Sequence, residues 1–289
     1  MRRESTTPDR DRAFRAALRV ALQAGYEILD GGGTAVDAVT AAVRVLEDDS
    51  LFNAGKGAVF TNQGTNELDA AIMDGATLQA GAVAGVKRVK NPISLARLVM
   101  EESPHVFLVG EGAEAFGREH GIEEVDPSYF YSEENWRSLQ DARGDAVMGT
   151  VGAVARDREG HLAAATSTGG MTNKLFGRVG DAPVIGAGTY ASDASCAVSA
   201  TGHGEFFIRN VVAREVCARL EYLGESLQEA AHEIIMERLV EQGGDGGMIG
   251  IDRDGHIALI TNTHGMHRGH WMAGAEPFTA LYADEGQAP

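Results

Sequence analysis

The sequence has few cysteines, few lysines and no long hydrophobic run. No stretch is long and apolar enough to span a bilayer as a helix. Residues 1–12 are charged and polar, without the apolar segment that a secretory signal requires. These absences predict a soluble, cytoplasmic protein with no membrane partner.

Only two cysteines occur, Cys196 and Cys217, and each lies in an apolar stretch. Small secreted proteins that depend on disulfides carry many more cysteines for their size. We therefore expect two reduced thiols that pack in the core.

Basic residues are outnumbered, with 25 lysines and arginines against 42 acidic residues and a formal net charge of −17. Such a surface repels nucleic-acid phosphates and anionic lipid head groups. The composition therefore predicts no nucleic-acid partner. Lysine is restricted to Lys56, Lys87, Lys90 and Lys174.

The 289 residues, of which 44% are hydrophobic, are enough to form one large domain over residues 1–289. Apolar residues at helical spacing predict helices from Pro8 to Leu29 and from Ala35 to Leu46, the second capped by Thr34. Further helices are predicted over residues 94–102, 111–120, 205–222 and 227–242. Short apolar segments between turn residues predict strands over residues 57–61, 68–73 and 79–86.

Residues 122–149 lack apolar periodicity and predict a flexible linker, too long for an ordinary loop. A strand–turn–strand pattern follows in residues 150–168 and returns in residues 247–262, which predicts two similar hairpins in one sheet system. Helices flank the small-residue strands of each half. We therefore predict an α+β fold, a four-layer αββα sandwich in which two sheets pack face to face beneath outer helices.

No serine elbow or cysteine nucleophile is evident, but Thr150 has features of an alternative nucleophile. A threonine at a chain terminus can pass its hydroxyl proton to its own α-amine, whose pKa is roughly 8. Thr150 ends the linker, begins a strand and follows Gly149, which has no side chain to restrict a strained bond.

Residues 149–191, GTVGAVARDREGHLAAATSTGGMTNKLFGRVGDAPVIGAGTYA, closely resemble the plant-type asparaginases, also called isoaspartyl peptidases, of the N-terminal-nucleophile hydrolases. The resemblance continues through LEDDSLFNAGKGAVFT, ELDAAIMDG, SPHVFLVGEGAE, SATGHGE and GGDGGMIGID. It implies that the chain cuts itself between Gly149 and Thr150 into an α chain, 1–149, and a β chain, 150–289. It also implies hydrolysis of L-asparagine or β-aspartyl (isoaspartyl) dipeptides, which releases L-aspartate.

The same resemblance assigns the catalytic residues. Thr150 is the nucleophile, and Thr168 hydrogen-bonds it and its amine. Thr201 and Gly202 stabilise the oxyanion of the tetrahedral intermediate with a hydroxyl and a backbone N–H. Asn53 positions water or the scissile region. From the residues alone, Thr168 would equally suit an ordinary strand and Asn53 a turn.

Arg178 and Asp181, in GRVGD, correspond to the family residues that bind the substrate's α-carboxylate and α-ammonium. Without the surrounding motif, a surface ion pair would be the simpler interpretation. Thr201 and Gly202 also contact the substrate in the family.

The resemblance further implies a sodium-binding loop of backbone carbonyls, because oxygen ligands suit a hard cation. These carbonyls would belong to Leu46, Glu47, Asp49, Phe52, Ala54 and Lys56. No redox or organic cofactor is required, and the family suggests a dimer of αβ heterodimers. His264, His267 and His270 recur at intervals of three, but no carboxylate or cysteine pattern supports a transition-metal site there.

Two alternatives stay open. Family members open with an apolar strand ending in His-Gly-Gly-Ala-Gly, and this sequence has no such segment, so a non-processing relative with a binding or structural role is one alternative. The glycosylasparaginases, the other alternative, share the nucleophile, but they usually carry an acidic residue before it. Gly149 and the TSTGG motif favour the asparaginase branch.

Overall fold

The chain contains both helices and strands, grouped largely in runs of one type, which is consistent with the predicted α+β class. The computed structural model describes residues 3–141 and 149–286. The helices are α1 (Pro8–Asp30), α2 (Ala35–Glu47), α3 (Pro92–Glu102), α4 (Gly110–Glu119), α5 (Glu133–Asp141), α6 (Gly204–Asn210), α7 (Val212–Leu223), α8 (Leu227–His232) and α9 (Leu239–Glu241). The strands are β1 (Leu68–Asp74), β2 (Ala80–Val86), β3 (Phe107–Val109), β4 (Val151–Arg156), β5 (Leu162–Thr168), β6 (Thr189–Ala191), β7 (Cys196–Gly202), β8 (Gly246–Asp252), β9 (Ile257–Thr261), β10 (Gly265–His270) and β11 (Phe278–Tyr282).

Helices α1 and α2 begin where the sequence predicts, because each has a threonine cap. The Thr7 side chain accepts a hydrogen bond from the Arg10 N–H at 3.3 Å, and the Thr34 side chain accepts one from the Asp37 N–H at 3.1 Å. Pro8 suits the first turn of α1, where its missing N–H needs no partner. Both helices turn their apolar sides toward the core.

The first sheet has the strand order β3-β2-β1-β5-β4. Its pairs are antiparallel except β2 with β3, and the β1–β5 register places Asp69 opposite Thr168. Every residue of β5 is buried, because α2 and α3 pack on one side of this sheet and the second sheet on the other.

The second sheet has the order β6-β7-β8-β9, with Thr201 opposite Gly247, and α7 and α8 pack on it. Strands β10 and β11 form a separate pair beside α1. The prediction of two hairpins in one sheet system is wrong, because the β4–β5 hairpin lies in the first sheet and the β8–β9 hairpin in the second.

The two sheets approach closely through small and hydroxylated residues. Thr166 and Ser199 hydrogen-bond across the interface at 2.8 Å, and the Thr189 hydroxyl donates to Thr166 at 2.6 Å. A Cβ on Gly152 would lie only 1.9 Å from the Ser199 Oγ, so this separation requires glycine there.

The cysteines differ from the prediction. Both are fully buried, as expected, but Cys196 and Cys217 form a disulfide that joins the start of β7 to α7. Their spacing of 21 residues hid this pairing, because strand and helix bring them together only in the folded chain. The prediction of reduced thiols is therefore wrong.

Other differences concern local structure. Residues 57–61 do not form the predicted strand, since a 3-10 helix over Gly55–Gly57 and one isolated bridge at Phe60 replace it. The predicted linker contains a 3-10 helix, Pro127–Phe130, and α5, and its residues 142–148 lie outside the described residues. The predicted helix over 205–222 divides at Val211, whose φ is 49°. No helix in the described part of the chain combines the length and apolar character needed to cross a membrane.

Candidate active site

Thr150 lies immediately before β4, where the chain enters the first sheet. The Thr150 hydroxyl donates a long hydrogen bond to the Thr168 Oγ1 at 3.4 Å. Val151 pairs with Ser167 in the β4–β5 ladder, so the hairpin places Thr150 beside Thr168 at the same sheet end. The structure therefore brings together the two threonines that the resemblance singles out.

The carbonyl oxygen of Gly149 receives two hydrogen bonds from side chains. Thr168 donates its hydroxyl at 2.8 Å and Asn53 donates its amide Nδ2 at 2.9 Å. A Cβ on Gly149 would approach the Asn53 Cβ to 3.2 Å, so a larger residue would crowd this contact. Two donors on one carbonyl withdraw electrons from its carbon and can stabilise an oxyanion.

Asn53 and Thr168 are themselves fixed by a turn at Gly169–Gly170. Asn53 donates to the Gly170 carbonyl at 2.7 Å and accepts at Oδ1 from the Val59 N–H at 2.9 Å. The Gly170 N–H donates to the Thr168 Oγ1 at 2.9 Å. Gly170 has a φ of +79°, which favours glycine. Each donor to the Gly149 carbonyl is thus held by a further hydrogen bond.

Thr201 and Gly202 end β7 and line the same cavity as Thr150. This cavity has a volume of about 860 Å³ and extends along β4 between the second sheet and helices α1 and α2. Thr201 is half-buried, with its side chain available at the cavity wall. A group that reacts at Thr150 can therefore meet donors from the other sheet.

Arg178 and Asp181 lie in the loop between β5 and β6. A Cβ on Gly204 would lie 2.8 Å from the Arg178 Nη2 and 2.9 Å from the Asp181 Oδ1, so both charged groups converge on the start of α6. Burial raises the pKa of Asp181 to about 7, against the attraction of Arg178, and its Oδ2 has no hydrogen-bond partner in the described structure. One cation and one buried carboxylate suit a ligand that bears both charges.

Glu205 is a site residue that the sequence reasoning missed. It accepts two hydrogen bonds from Arg178, from Nε at 2.9 Å and from Nη2 at 3.0 Å, and these bonds lower the pKa of Glu205. His203 Nε2 lies 3.4 Å from the same carboxylate. The acidic residue in the GHGE motif was the available signal, because an arginine that is largely withdrawn from solvent commonly has a carboxylate partner.

The loop of residues 46–56, in which the sodium site is predicted, curls tightly. A Cβ on Gly55 would lie 2.3 Å from the Glu47 carbonyl oxygen, and one on Gly57 would lie 2.0 Å from the Phe52 carbonyl oxygen. Two of the six predicted ligand carbonyls, those of Glu47 and Phe52, therefore lie so close to Gly55 and Gly57 that a residue with a side chain would not fit at either glycine. The sodium site itself stays a prediction.

The three recurring histidines do not form a cluster of metal ligands within residues 3–141 and 149–286. His267 packs between the rings of Phe14 and Phe52, and burial lowers its pKa to about 4. His270 stacks on Phe278. His267 is therefore a core residue, and His270 packs within the β10–β11 hairpin.

Comparisons with known proteins identify the family of the chain. A family model described as asparaginase matches residues 1–147 and 140–279. The isoaspartyl peptidase of Escherichia coli K12 is 51% identical over 285 residues, which cover 93% of this chain and 89% of that protein. A probable isoaspartyl peptidase/L-asparaginase of Arabidopsis thaliana is 42% identical over 294 residues, with 90% of each chain covered. The isoaspartyl peptidase/L-asparaginase of Mus musculus is 45% identical over 256 residues, 86% of this chain and 78% of that protein.

Proposed function

Since the chain belongs to the asparaginase family, we propose that it hydrolyses L-asparagine and β-aspartyl dipeptides with Thr150 as its nucleophile, after cutting itself before that residue. The observation that carries this proposal is the Gly149 carbonyl, which Thr168 and Asn53 both hold next to the Thr150 hydroxyl. A carbonyl held by two donors beside a nucleophile is arranged for acyl transfer.

Processing begins when the Thr150 Oγ1 attacks the Gly149 carbonyl carbon. Thr168 and Asn53 stabilise the negative charge that forms on the carbonyl oxygen. The C–N bond then breaks and the departing nitrogen takes up the proton that the hydroxyl has lost, so that Gly149 is joined to Thr150 through an ester and the nitrogen becomes a free amine. Water hydrolyses the ester and leaves Thr150 at a new N-terminus.

Turnover repeats the attack on a substrate. The freed α-amine of Thr150 takes the hydroxyl proton, because its pKa of roughly 8 lies near the working pH. The Thr150 oxygen attacks the side-chain amide or β-aspartyl carbonyl, and Thr201 and Gly202 stabilise the oxyanion. Ammonia or an amino acid leaves with the proton, and water then releases aspartate from the acyl-enzyme.

Arg178 and Asp181 provide substrate recognition. Glu205 occupies the Nε and Nη2 edge of Arg178, so the Nη1 end of the guanidinium remains for the substrate's α-carboxylate. Ionised Asp181 attracts the α-ammonium. Asparagine and β-aspartyl dipeptides share these two groups and differ only in the leaving group, which agrees with the double name of several relatives.

The finer architecture belongs to the same proposal. Two facing sheets with α2 and α3 on one side and α7 and α8 on the other support the four-layer αββα sandwich of N-terminal-nucleophile hydrolases. The backbone carbonyls of residues 46–56 would hold a structural sodium ion, and the reaction requires no organic cofactor. A dimer of αβ heterodimers rests on the family resemblance alone, and the cytoplasmic location rests on the sequence pattern.

The test is to incubate purified wild type and Thr150→Ala, measure intact chain masses and sequence the N-termini. The proposal expects two wild-type chains, one beginning TVGAV, and a single uncut variant without hydrolase activity. A Thr150→Ala protein that still splits at Gly149 would overturn self-cleavage by Thr150. A folded wild type that stays uncut would favour the non-processing relative, and cleavage of glycosylated asparagine alone would favour the glycosylasparaginase branch.

A further inference from the structure

A buried ion pair lies behind the candidate active site and has no part in the proposed chemistry. Lys174 Nζ lies 3.9 Å from Asp69 Oδ2, and each side chain is only 1% exposed. Lys174 donates to the Glu67 carbonyl at 3.0 Å, while Asp69 Oδ1 accepts from the Gly85 N–H at 2.8 Å. Asp69 Oδ2 makes no hydrogen bond within the described structure.

Asp69 is a direct neighbour of Thr168. The two residues are opposite each other in the β1–β5 ladder, so their side chains lie on the same face with Cβ atoms about 5 Å apart. This face is the inner one, because Thr166, two residues before Thr168, bonds Ser199 of the second sheet. The carboxyl group therefore lies beside the second active-site threonine.

Lys174 lies beneath the turn that holds this threonine. A Cβ on Gly170 would lie 3.1 Å from both the Cδ and the Nζ of Lys174. Gly170 donates its N–H to the Thr168 Oγ1 and accepts at its carbonyl from Asn53. Displacement of the lysine would therefore disturb both donors to the Gly149 carbonyl.

Burial of a charged pair costs desolvation free energy, so such a pair is not expected at a position that only has to be filled by packing. Burial raises the pKa of Asp69 and lowers the pKa of Lys174, and the attraction between the two charges opposes both shifts. Apolar side chains of similar volume often replace such a pair without loss of stability. The long lysine chain instead joins the loop after β5 to the Glu67 backbone just before β1.

We propose that Lys174 and Asp69 are positioning residues, which hold the Gly169–Gly170 turn and thereby direct Thr168 and Asn53 at the reacting groups. This inference rests on the proposed function. Arg178 lies within electrostatic range of both charges, but its guanidinium is held by two hydrogen bonds to Glu205 that do not involve the pair. Loss of the pair should therefore slow processing and turnover more than it weakens substrate binding.

The first experiment compares Lys174→Met with wild type and with Lys87→Met. Lys87 is the matched control, because it pairs with the Glu67 side chain at 3.2 Å but is half-exposed. Lys174→Met should lower kcat for asparagine about 100-fold, as expected for misplaced catalytic groups, and slow self-cleavage similarly. KM should stay within about two-fold of wild type, since uniform substrate binding is retained. Lys87→Met should match wild type.

The double variant Asp69→Asn/Lys174→Met separates positioning from stability. It leaves no unpaired buried charge, so its Tm should recover toward wild type, and the oxygen of the introduced amide can still accept from the Gly85 N–H. Low kcat with a recovered Tm supports positioning. Recovery of kcat together with Tm would overturn it, because the pair would then only stabilise the fold.

The rate of hydrogen exchange at the Gly170 amide can be measured whether or not the protein has hydrolase activity. Lys174→Met should speed exchange of this amide relative to wild type and Lys87→Met, because its bond to Thr168 loosens. Unchanged exchange would overturn the inference. A wild type that neither processes nor hydrolyses would overturn the proposed function, and the exchange result would still decide the role of the pair.

Discussion

Single residues from distant parts of the chain meet at the Gly149 carbonyl. Asn53 lies 96 positions before it and Thr168 lies 19 positions after it, yet both donate to its oxygen within 3 Å. The same donors can serve self-cleavage and then help hold the nucleophile. Asp181 differs from these neutral groups, because its contribution depends on its ionisation.

Asp181 should make substrate affinity depend on pH. Its pKa is raised to about 7, so the carboxylate that attracts the α-ammonium forms as pH rises through 7 and is lost below it. KM for asparagine should be about ten-fold higher at pH 6 than at pH 8, since protonation reaches about 90% one unit below the pKa. Steady-state kinetics of wild type and Asp181→Asn test this, with a high and nearly constant KM expected for the variant. An equal wild-type KM at both pH values would contradict the prediction.

The sequence predicted these residues only in part. Thr150, Thr168, Asn53, Thr201 and Gly202 come from separate family motifs. The structure brings the first three into one hydrogen-bonded group, while the roles of all five stay predictions. No local sequence pattern marks Asp69 or Lys174 as a functional residue. Their relation to Thr168 depends on strand register and on a turn, which only the folded chain shows.

At the scale of elements, helices and strands with strong local sequence patterns were predicted correctly, and those with weak patterns were not. Helix α1 follows from long apolar periodicity and α2 from such periodicity together with its Thr34 cap, while β4 and β5 follow from small apolar residues around a turn. Strand β7, which carries Thr201, has no clear flanking pattern and was not predicted. The asparaginase assignment is confirmed, because it depends on collinear motifs rather than on single elements.

The disulfide links two elements, because it joins β7 to α7 and closes a loop that contains Thr201 and α6. A crosslink that closes a loop of this size stabilises a fold by about 3 kcal/mol. Reductant should therefore lower the Tm of wild type but not that of Cys196→Ala/Cys217→Ala. Thiol titration in denaturant should find no reactive thiol without reductant. Reaction of both cysteines would show that the bond does not form in the isolated protein.

At the scale of the whole molecule, the proposed cut passes through the first sheet. Strands β1, β2 and β3 precede Gly149, whereas β5 and β4 follow it. Among the described residues, the sheet order joins the two groups only at the β1–β5 ladder. This ladder pairs residues 69–74 with residues 163–168. Processing would turn a ladder within one chain into an interface between two.

The molecularity of folding therefore changes with the cut. Denatured processed protein must recombine two different chains, so its refolding should quicken with protein concentration. The uncut Thr150→Ala chain should refold at a rate independent of concentration over the same ten-fold range. Stopped-flow refolding of both forms measures this, and equal concentration independence would mean that the two segments never separate. A single hydrolysed bond at the active site would thus convert a folding reaction into an assembly reaction.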